Sequence, residues 1–276
     1  ITQLFYVSNW YHDRLYLLGF DEAAGNFQQT NFSGMGLGND RVLAEGQDNT
    51  GTDNSNFSTP PDGQSGRAQM YRFIGPTVDR DGALDSEILI HELTHGLTNR
   101  LIGNAAGLNW DPGAGMGEGW SDFYALSLLN NTNADDPDGM YAMGAYTGYK
   151  LFGVTSFTDN YVYGGRRFPY STNNSINPLT WADADDYTNN LSGGIAPDPL
   201  GFNISGAGEV HNVGQIWALT LWEVRSRIIA ANGGDVPTGN QIMLQLVTDA
   251  LKMTPINPSY VDARDPSLVA DAMRTN

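Results

Sequence analysis

The sequence predicts an α+β fold, with short strands in the first third of the chain and helices over most of the rest. Residues 40–47 and 67–74 are predicted to be strands, and polar and apolar side chains alternate in the second of them. Elsewhere, apolar residues recur at helical spacing. Strands that precede a long series of helices, rather than alternating with them, are typical of the α+β class.

Helices are predicted wherever apolar residues return every three or four positions. Gly19 and Gly103 stand where the first two helices should end, and glycine is favoured just after the last helical turn. Residues 48–66 form a polar loop with at most one short strand, near Asn56 and Phe57. The predicted helices are 2–19, 85–102, about 117–130, about 211–232 and about 239–253, with a short one that begins after Asp265-Pro266.

We expect two lobes that meet near residue 103. Residues 1–102 would form the N-terminal lobe, which contains the strands and ends with the second helix. Residues 103–276 would form a mainly helical lobe in which 131–205 is mostly irregular. The chain has 276 residues, of which 40% are hydrophobic. This is enough apolar surface for a large core, and it excludes a disordered chain.

The charge balance excludes several classes of partner. The chain carries 31 acidic and 14 basic residues, a net charge of -17, which repels nucleic acid and anionic membranes. It has no cysteine, so a thiol nucleophile and a cysteine metal site are excluded. No stretch approaches the roughly 20 apolar residues of a membrane span. Because the chain begins at Ile1, we expect a mature or trimmed product, or a chain that starts inside a longer precursor.

The most informative motif is His91-Glu92-Leu93-Thr94-His95, in the middle of a predicted helix. Two histidines four residues apart lie on one face of a helix, so both imidazoles can bind one metal ion. Glu92 lies beside them, close enough to bond a metal-bound water without binding the metal. This arrangement is typical of zinc metalloproteases.

Two histidines leave zinc short of a third protein ligand, and Glu118 is the best candidate. A third histidine six residues after His95 is absent, because Leu101 stands there. Glu118 opens a helix after a glycine-rich turn, so its side chain can reach back to the first motif. Asp122 lies four residues further on the same face, where a carboxylate can accept the free N–H of a metal-bound histidine.

Residues 91–101 and 115–123 resemble the zinc motifs of the fungalysin family of secreted metalloendopeptidases, which are relatives of thermolysin. The similarity extends over nearly the whole chain. It implies a thermolysin-like fold of two lobes with the active-site helix between them, one zinc ion on His91, His95 and Glu118, and Glu92 as general base. It also implies secretion and an inhibitory propeptide in a zymogen precursor. We further expect a monomer that acts on polypeptides.

The resemblance also suggests residues that bind or stabilise the substrate. His211 matches the histidine that bonds the tetrahedral oxyanion in thermolysin-like enzymes, with Glu209 or Asp183 as the acid that orients it. Arg166, rather than its neighbour Arg167, resembles the arginine that binds a substrate carbonyl. Tyr170 is assigned as a second oxyanion donor. Asn54 and Asn56 are assigned to the edge strand that pairs with the substrate backbone. His12 is predicted to be only a helix residue.

Three alternatives accompany this hypothesis. Acidic clusters at residues 79–81 and 135–138 are calcium candidates, although neither has the spacing of an EF-hand. An exopeptidase could use the same zinc motif, but no acidic signature for the substrate's amino terminus is present. A metal-binding pseudoenzyme is the third alternative, and intact Glu92 argues against it because a binding module needs no general base.

Overall fold

A computed structural model describes residues 1–75, 78–149, 161–184 and 209–275. The described part contains seven α-helices and five short strands, which confirms the α+β class. The helices are α1 Thr2–Leu17, α2 Ser86–Leu101, α3 Gly113–Leu129, α4 Ala145–Gly148, α5 Val210–Ala231, α6 Val236–Met253 and α7 Tyr260–Thr275. The strands are β1 Leu43–Gly46, β2 Ser55–Ser58, β3 Arg67–Met70, β4 Arg72–Phe73 and β5 Arg80–Asp81.

The main sheet has the order β1-β3-β2, so β2 is an edge strand as predicted. β3 runs parallel to β1 and antiparallel to β2, with Ser55 opposite Met70. The single strand predicted at 67–74 is interrupted at Tyr71. The Tyr71 amide bonds the Asn54 carbonyl, and the next two residues pair instead with β5 in a second, two-stranded sheet.

Helix α2 carries the histidine motif and packs against α1, α3 and β2. Asp85 caps its first turn by accepting the amide N–H groups of Glu87 and Ile88. Three of its apolar residues, Leu89, Ile90 and Leu97, have no exposed surface. The helix is therefore held on several sides, which fixes the direction of its polar side chains.

Helix α3 begins at Gly113, four residues before the predicted start. Glycines in its first turns are poor helix formers, which is why propensity alone places the start too late. Tertiary packing explains the difference: a Cβ at Gly115 would lie 2.4 Å from Cγ1 of Val213 on α5. The glycines allow α3 and α5 to approach each other closely, and that contact stabilises the early turns.

The last helix also begins earlier than predicted, at Tyr260 rather than after Pro266. Ser259 and Asp262 form reciprocal bonds between side chain and backbone, a capping arrangement that starts the helix. The prediction gave too much weight to Pro266, which lies inside the helix. In the described ranges, no helix has the length and apolar character needed to cross a membrane. The division into lobes at residue 103 stays a prediction.

Candidate active site

The two histidines of α2 point in the same direction, as their spacing predicts. Nε2 of His91 lies 3.1 Å from Nε2 of His95. Glu118 reaches them from α3, with Oε2 3.1 Å from His91 Nε2 and Oε1 3.5 Å from His95 Nε2. Sequence spacing predicted the histidine pair, and the packing of α2 on α3 brings the glutamate to it.

These three side chains fit a zinc ion. Zinc–nitrogen bonds of 2.0–2.1 Å in a tetrahedron place neighbouring ligand atoms about 3.3–3.4 Å apart, close to the separations here. One ligand atom from each of the three residues lies within 4.8 Å of the others. Among the described residues, this is the one cluster of histidine and acidic groups with that geometry.

Charge also favours a cation at this position. Burial would lower the pKa of His91, but the carboxylates of Asp122 and Glu118 raise it to about 10. Burial would raise the pKa of Glu118, yet His95 and His91 hold it well below its ordinary value. Burial lowers the pKa of His95, which favours the neutral imidazole that binds metals. The site thus contains an ionised carboxylate, and its surroundings stabilise positive charge.

Asp122 lies on the opposite side of the His91 ring from Glu118. Nδ1 of His91 donates to its Oδ1 at 2.7 Å, which leaves Nε2, on the side of Glu118, as the ring nitrogen that could bind a metal. Nε and Nη2 of Arg166 donate to the two oxygens of Asp122, each at 2.7 Å. Burial opposes ionisation of Asp122, but Arg166 and His91 outweigh it and hold its pKa far below the ordinary value.

Arg166 and Tyr170 both lie against Asp122. Arg166 contacts the site through this ion pair, whereas Arg167 is turned toward α5 and bonds Gln215. The Tyr170 hydroxyl donates to Asp122 Oδ2 at 2.5 Å and is 1% exposed. This position differs from the predicted oxyanion role, because a hydroxyl buried behind His91 does not face a substrate. Sequence reasoning identified the residue but not the group that it contacts.

His211 stands at the open side of the cluster. Its Nε2 lies 3.4 Å from Glu118 Oε2, and its side chain is 47% exposed. Nδ1 donates to Glu209 Oε1 at 2.6 Å, so Glu209 is the acid that orients the ring. Glu209 also caps α5 by accepting the Asn212 amide. Asp183, the alternative, is buried and instead accepts the amide and hydroxyl of Thr180.

Glu92 is 5% exposed, and it has a partner that sequence reasoning missed. The hydroxyl of Ser55 donates to Glu92 Oε1 at 2.5 Å. Ser55 lies between Asn54 and Asn56, the two predicted substrate residues of the edge strand. Asn54 is exposed, whereas the Asn56 amide bonds the Tyr71 hydroxyl at 2.6 Å. Sequence reasoning singled out the two asparagines, whereas it is Ser55 between them that contacts Glu92.

The remaining predicted features lie away from this site. Asp79 pairs with Arg72, and Asp81 bonds the Ala83 amide, so these carboxylates serve local structure. Asp138 likewise accepts from Thr172 and Ser226. Within the described ranges neither acidic cluster converges as a cation site. The last of the predicted features, His12, lies on α1 and bonds Asp13 and Gln28.

An α+β fold that brings together two helical histidines and a glutamate from a later helix is typical of metallopeptidases. The chain belongs to the fungalysin metallopeptidase family (M36), whose family model matches residues 1–276. It is 40% identical to extracellular metalloproteinase 2 of Trichophyton rubrum and to extracellular metalloproteinase 10 of Coccidioides posadasii. Each match covers 100% of this chain but 41% of the relative, so the chain spans under half the length of these curated relatives.

Proposed function

We propose that this chain is the catalytic part of a secreted zinc endopeptidase that hydrolyses internal peptide bonds. The observation that carries the proposal is the convergence of His91, His95 and Glu118, with the buried carboxylate of Glu92 beside them. His91, His95 and Glu118 would hold one zinc ion per chain. Bound there, zinc supplies a positive charge that polarises the scissile carbonyl and acidifies a water molecule.

The protein's own groups carry the proton transfers. Glu92 accepts a proton from the attacking water and passes it to the leaving amine. His211 donates from Nε2 to the carbonyl oxygen as that oxygen gains negative charge. Because Nδ1 of His211 donates to Glu209, a ring that donates from both nitrogens is positively charged, and Glu209 balances that charge.

Other residues would keep this machinery in position. Asp122 keeps the His91 ring in the tautomer whose Nε2 can bind metal, and Arg166 and Tyr170 hold Asp122 in turn. An extended substrate would pair with the free edge of β2 near Asn54, because strand addition supplies backbone hydrogen bonds without requiring one sequence. Arg166 would bind a substrate carbonyl.

The extracellular names of the relatives support secretion. We also propose an inhibitory propeptide in the precursor, and a monomeric enzyme. Calcium is left out of the proposal, because the described acidic clusters bond to neighbouring side chains and amides.

Digestion of casein, with cut sites identified by mass spectrometry, tests the proposed function. We expect internal cuts that disappear with a strong chelator and return when zinc is restored. Glu92→Gln serves as the inactive control, because contaminating proteases would survive that change. Trimming from one end would indicate an exopeptidase, and metal binding without any cleavage would indicate a binding module.

A further inference from the structure

We propose that Ser55 of β2 is a positioning residue for Glu92: its hydroxyl holds one carboxylate oxygen so that the other is directed at the attacking water. The inference rests on the proposed role of Glu92 as general base. It assigns to the edge strand a second task besides substrate pairing, because the residue next to Asn54 would orient the catalytic carboxylate.

Ser55 is the donor and Glu92 the acceptor in this hydrogen bond. An ionised carboxylate can only accept, so the single proton of the Ser55 hydroxyl is donated to Glu92 Oε1. Ser55 is 9% exposed and Glu92 5% exposed, so water has little access to either group. A charge-assisted bond in such surroundings is stronger than one in water. Among the described residues, Oε2 of Glu92 has no hydrogen-bond partner, so it remains available as an acceptor.

Two contacts hold β2 against α2 and fix this geometry. Ser55 and Phe57 are two residues apart, so their side chains lie on the same face of the strand. Glu92 and Gly96 are four apart, so they lie on one face of the helix. Ser55 bonds Glu92, and Phe57 packs so tightly on Gly96 that a Cβ there would lie 2.9 Å from the phenyl ring. The distance from strand to helix is thus set at both positions.

The position of the hydroxyl also depends on the sheet. Ser55 lies opposite Met70 of β3, which is fully buried, so a shift by one residue would expose that face. The backbone ladder therefore fixes the Ser55 Cβ, and one rotatable bond places the hydroxyl. Glutamate has three side-chain torsions, and a bond at one oxygen restricts all of them before the substrate arrives. Such preorganisation lowers the cost of reaching the reactive geometry.

Steady-state kinetics of Ser55→Ala, Ser55→Thr and the control Ser127→Ala test the proposal. Ser127 is also buried, but its hydroxyl has no hydrogen-bond partner within the described chain. We expect Ser55→Ala to lower kcat by about 10–100-fold, the usual range for outer positioning groups, with KM changed by less than about 2-fold. Ser55→Thr keeps the hydroxyl and should retain most of kcat. Equal kcat in Ser55→Ala and Ser127→Ala would overturn the proposal, as would equal losses in the alanine and threonine variants.

A double-mutant cycle in the zinc-free protein provides a readout that does not depend on activity. The change in Tm on Ser55→Ala should be smaller when Glu92 is already alanine, because the partner is then absent. Additive changes in Tm would show that the bond does not form, and would overturn the proposal. Coupled changes in Tm with unchanged kcat in Ser55→Ala would also overturn it. If instead Glu92→Gln remained active, the proposed general base would be wrong, which is a separate failure.

Discussion

Gly119 of α3 and Gly214 of α5 pack backbone against backbone, so that a Cβ at Gly119 would lie 2.4 Å from the Gly214 carbonyl oxygen. A Cβ at Gly214 would in turn lie 2.7 Å from Cβ of Glu118. This close crossing brings the first turn of α5 next to Glu118. It explains how His211, 93 positions after Glu118, reaches within 3.4 Å of that carboxylate.

Gly119→Ala should therefore impair both stability and activity. The added methyl group collides with backbone that cannot move independently, and overpacking of this kind typically costs about 1–3 kcal/mol. Gly117→Ala is the matched control on the same helix, because its Cβ would meet only Leu108 at an ordinary 3.5 Å. Alanine there should stabilise the helix by about 0.5–1 kcal/mol. Denaturant unfolding of both variants would measure this contrast, and similar effects would contradict the crossing.

Glu118→Ala should remove most of the bound metal. Two imidazoles remain, and the site loses the negative charge that the histidines hold in its ionised form. Zinc content after dialysis, measured by atomic absorption, would fall from about one ion per chain toward zero. Glu45→Ala is a control, because Glu45 pairs with Arg67 on the surface. Full zinc occupancy in the Glu118 variant would remove Glu118 from the ligand set.

Glu92→Gln should separate metal binding from catalysis. Glutamine has the same size and can still accept the Ser55 hydroxyl, but it cannot take a proton from water. Zinc content should be unchanged, while turnover should fall by at least the 10²–10⁴-fold typical of a lost general base. Turnover near that of the unmodified enzyme would mean that another group takes the proton.

His211→Ala should lower kcat by about 10²–10³-fold with a much smaller change in KM, because the bond forms mainly in the transition state. His12→Ala controls for the loss of a surface histidine, since His12 lies on α1 and bonds Gln28. The cap of α5 belongs to Glu209, so His211→Ala should leave Tm nearly unchanged. A lower Tm with normal kcat would assign His211 a structural role only.

Glu87, at the start of α2, should make stability depend on pH. Burial and then the charge of Asp85 raise its pKa from 4.5 to about 7. Between these values the unfolded chain loses the proton while the folded chain keeps it, so the free energy of unfolding falls as pH rises. Glu87→Gln removes this titration and can still accept the Gly144 amide. Relative to the unmodified protein, the variant should gain up to about 3 kcal/mol from pH 4.5 to 7.5. A difference that is constant over this range would contradict the assignment.

Much of this protein was predictable wherever a few neighbouring residues decide the outcome. The helical period of α1, α2, α5 and α6 is visible in the sequence because burial of one face repeats every three or four residues. The spacing of His91 and His95 fixes their common direction for the same reason, since helix geometry alone relates them. The starts of α3 and α7 were placed too late, because tertiary packing and a capping pair outweigh the local preferences of glycine and proline.

The sequence by itself determined the chemistry of the site: two imidazoles on one helical face, a glutamate between them, and a carboxylate pair on a later helix. Only the tertiary structure decided which groups those residues contact. It turned Tyr170 toward Asp122, chose Glu209 over Asp183 beside His211, and brought Ser55 to Glu92 across 37 positions of chain. These contacts depend on how closely strands and helices pack, which is set by side-chain volume and by glycines at crossings. No local period in the sequence encodes such distances, because each is a property of two surfaces that meet only after folding.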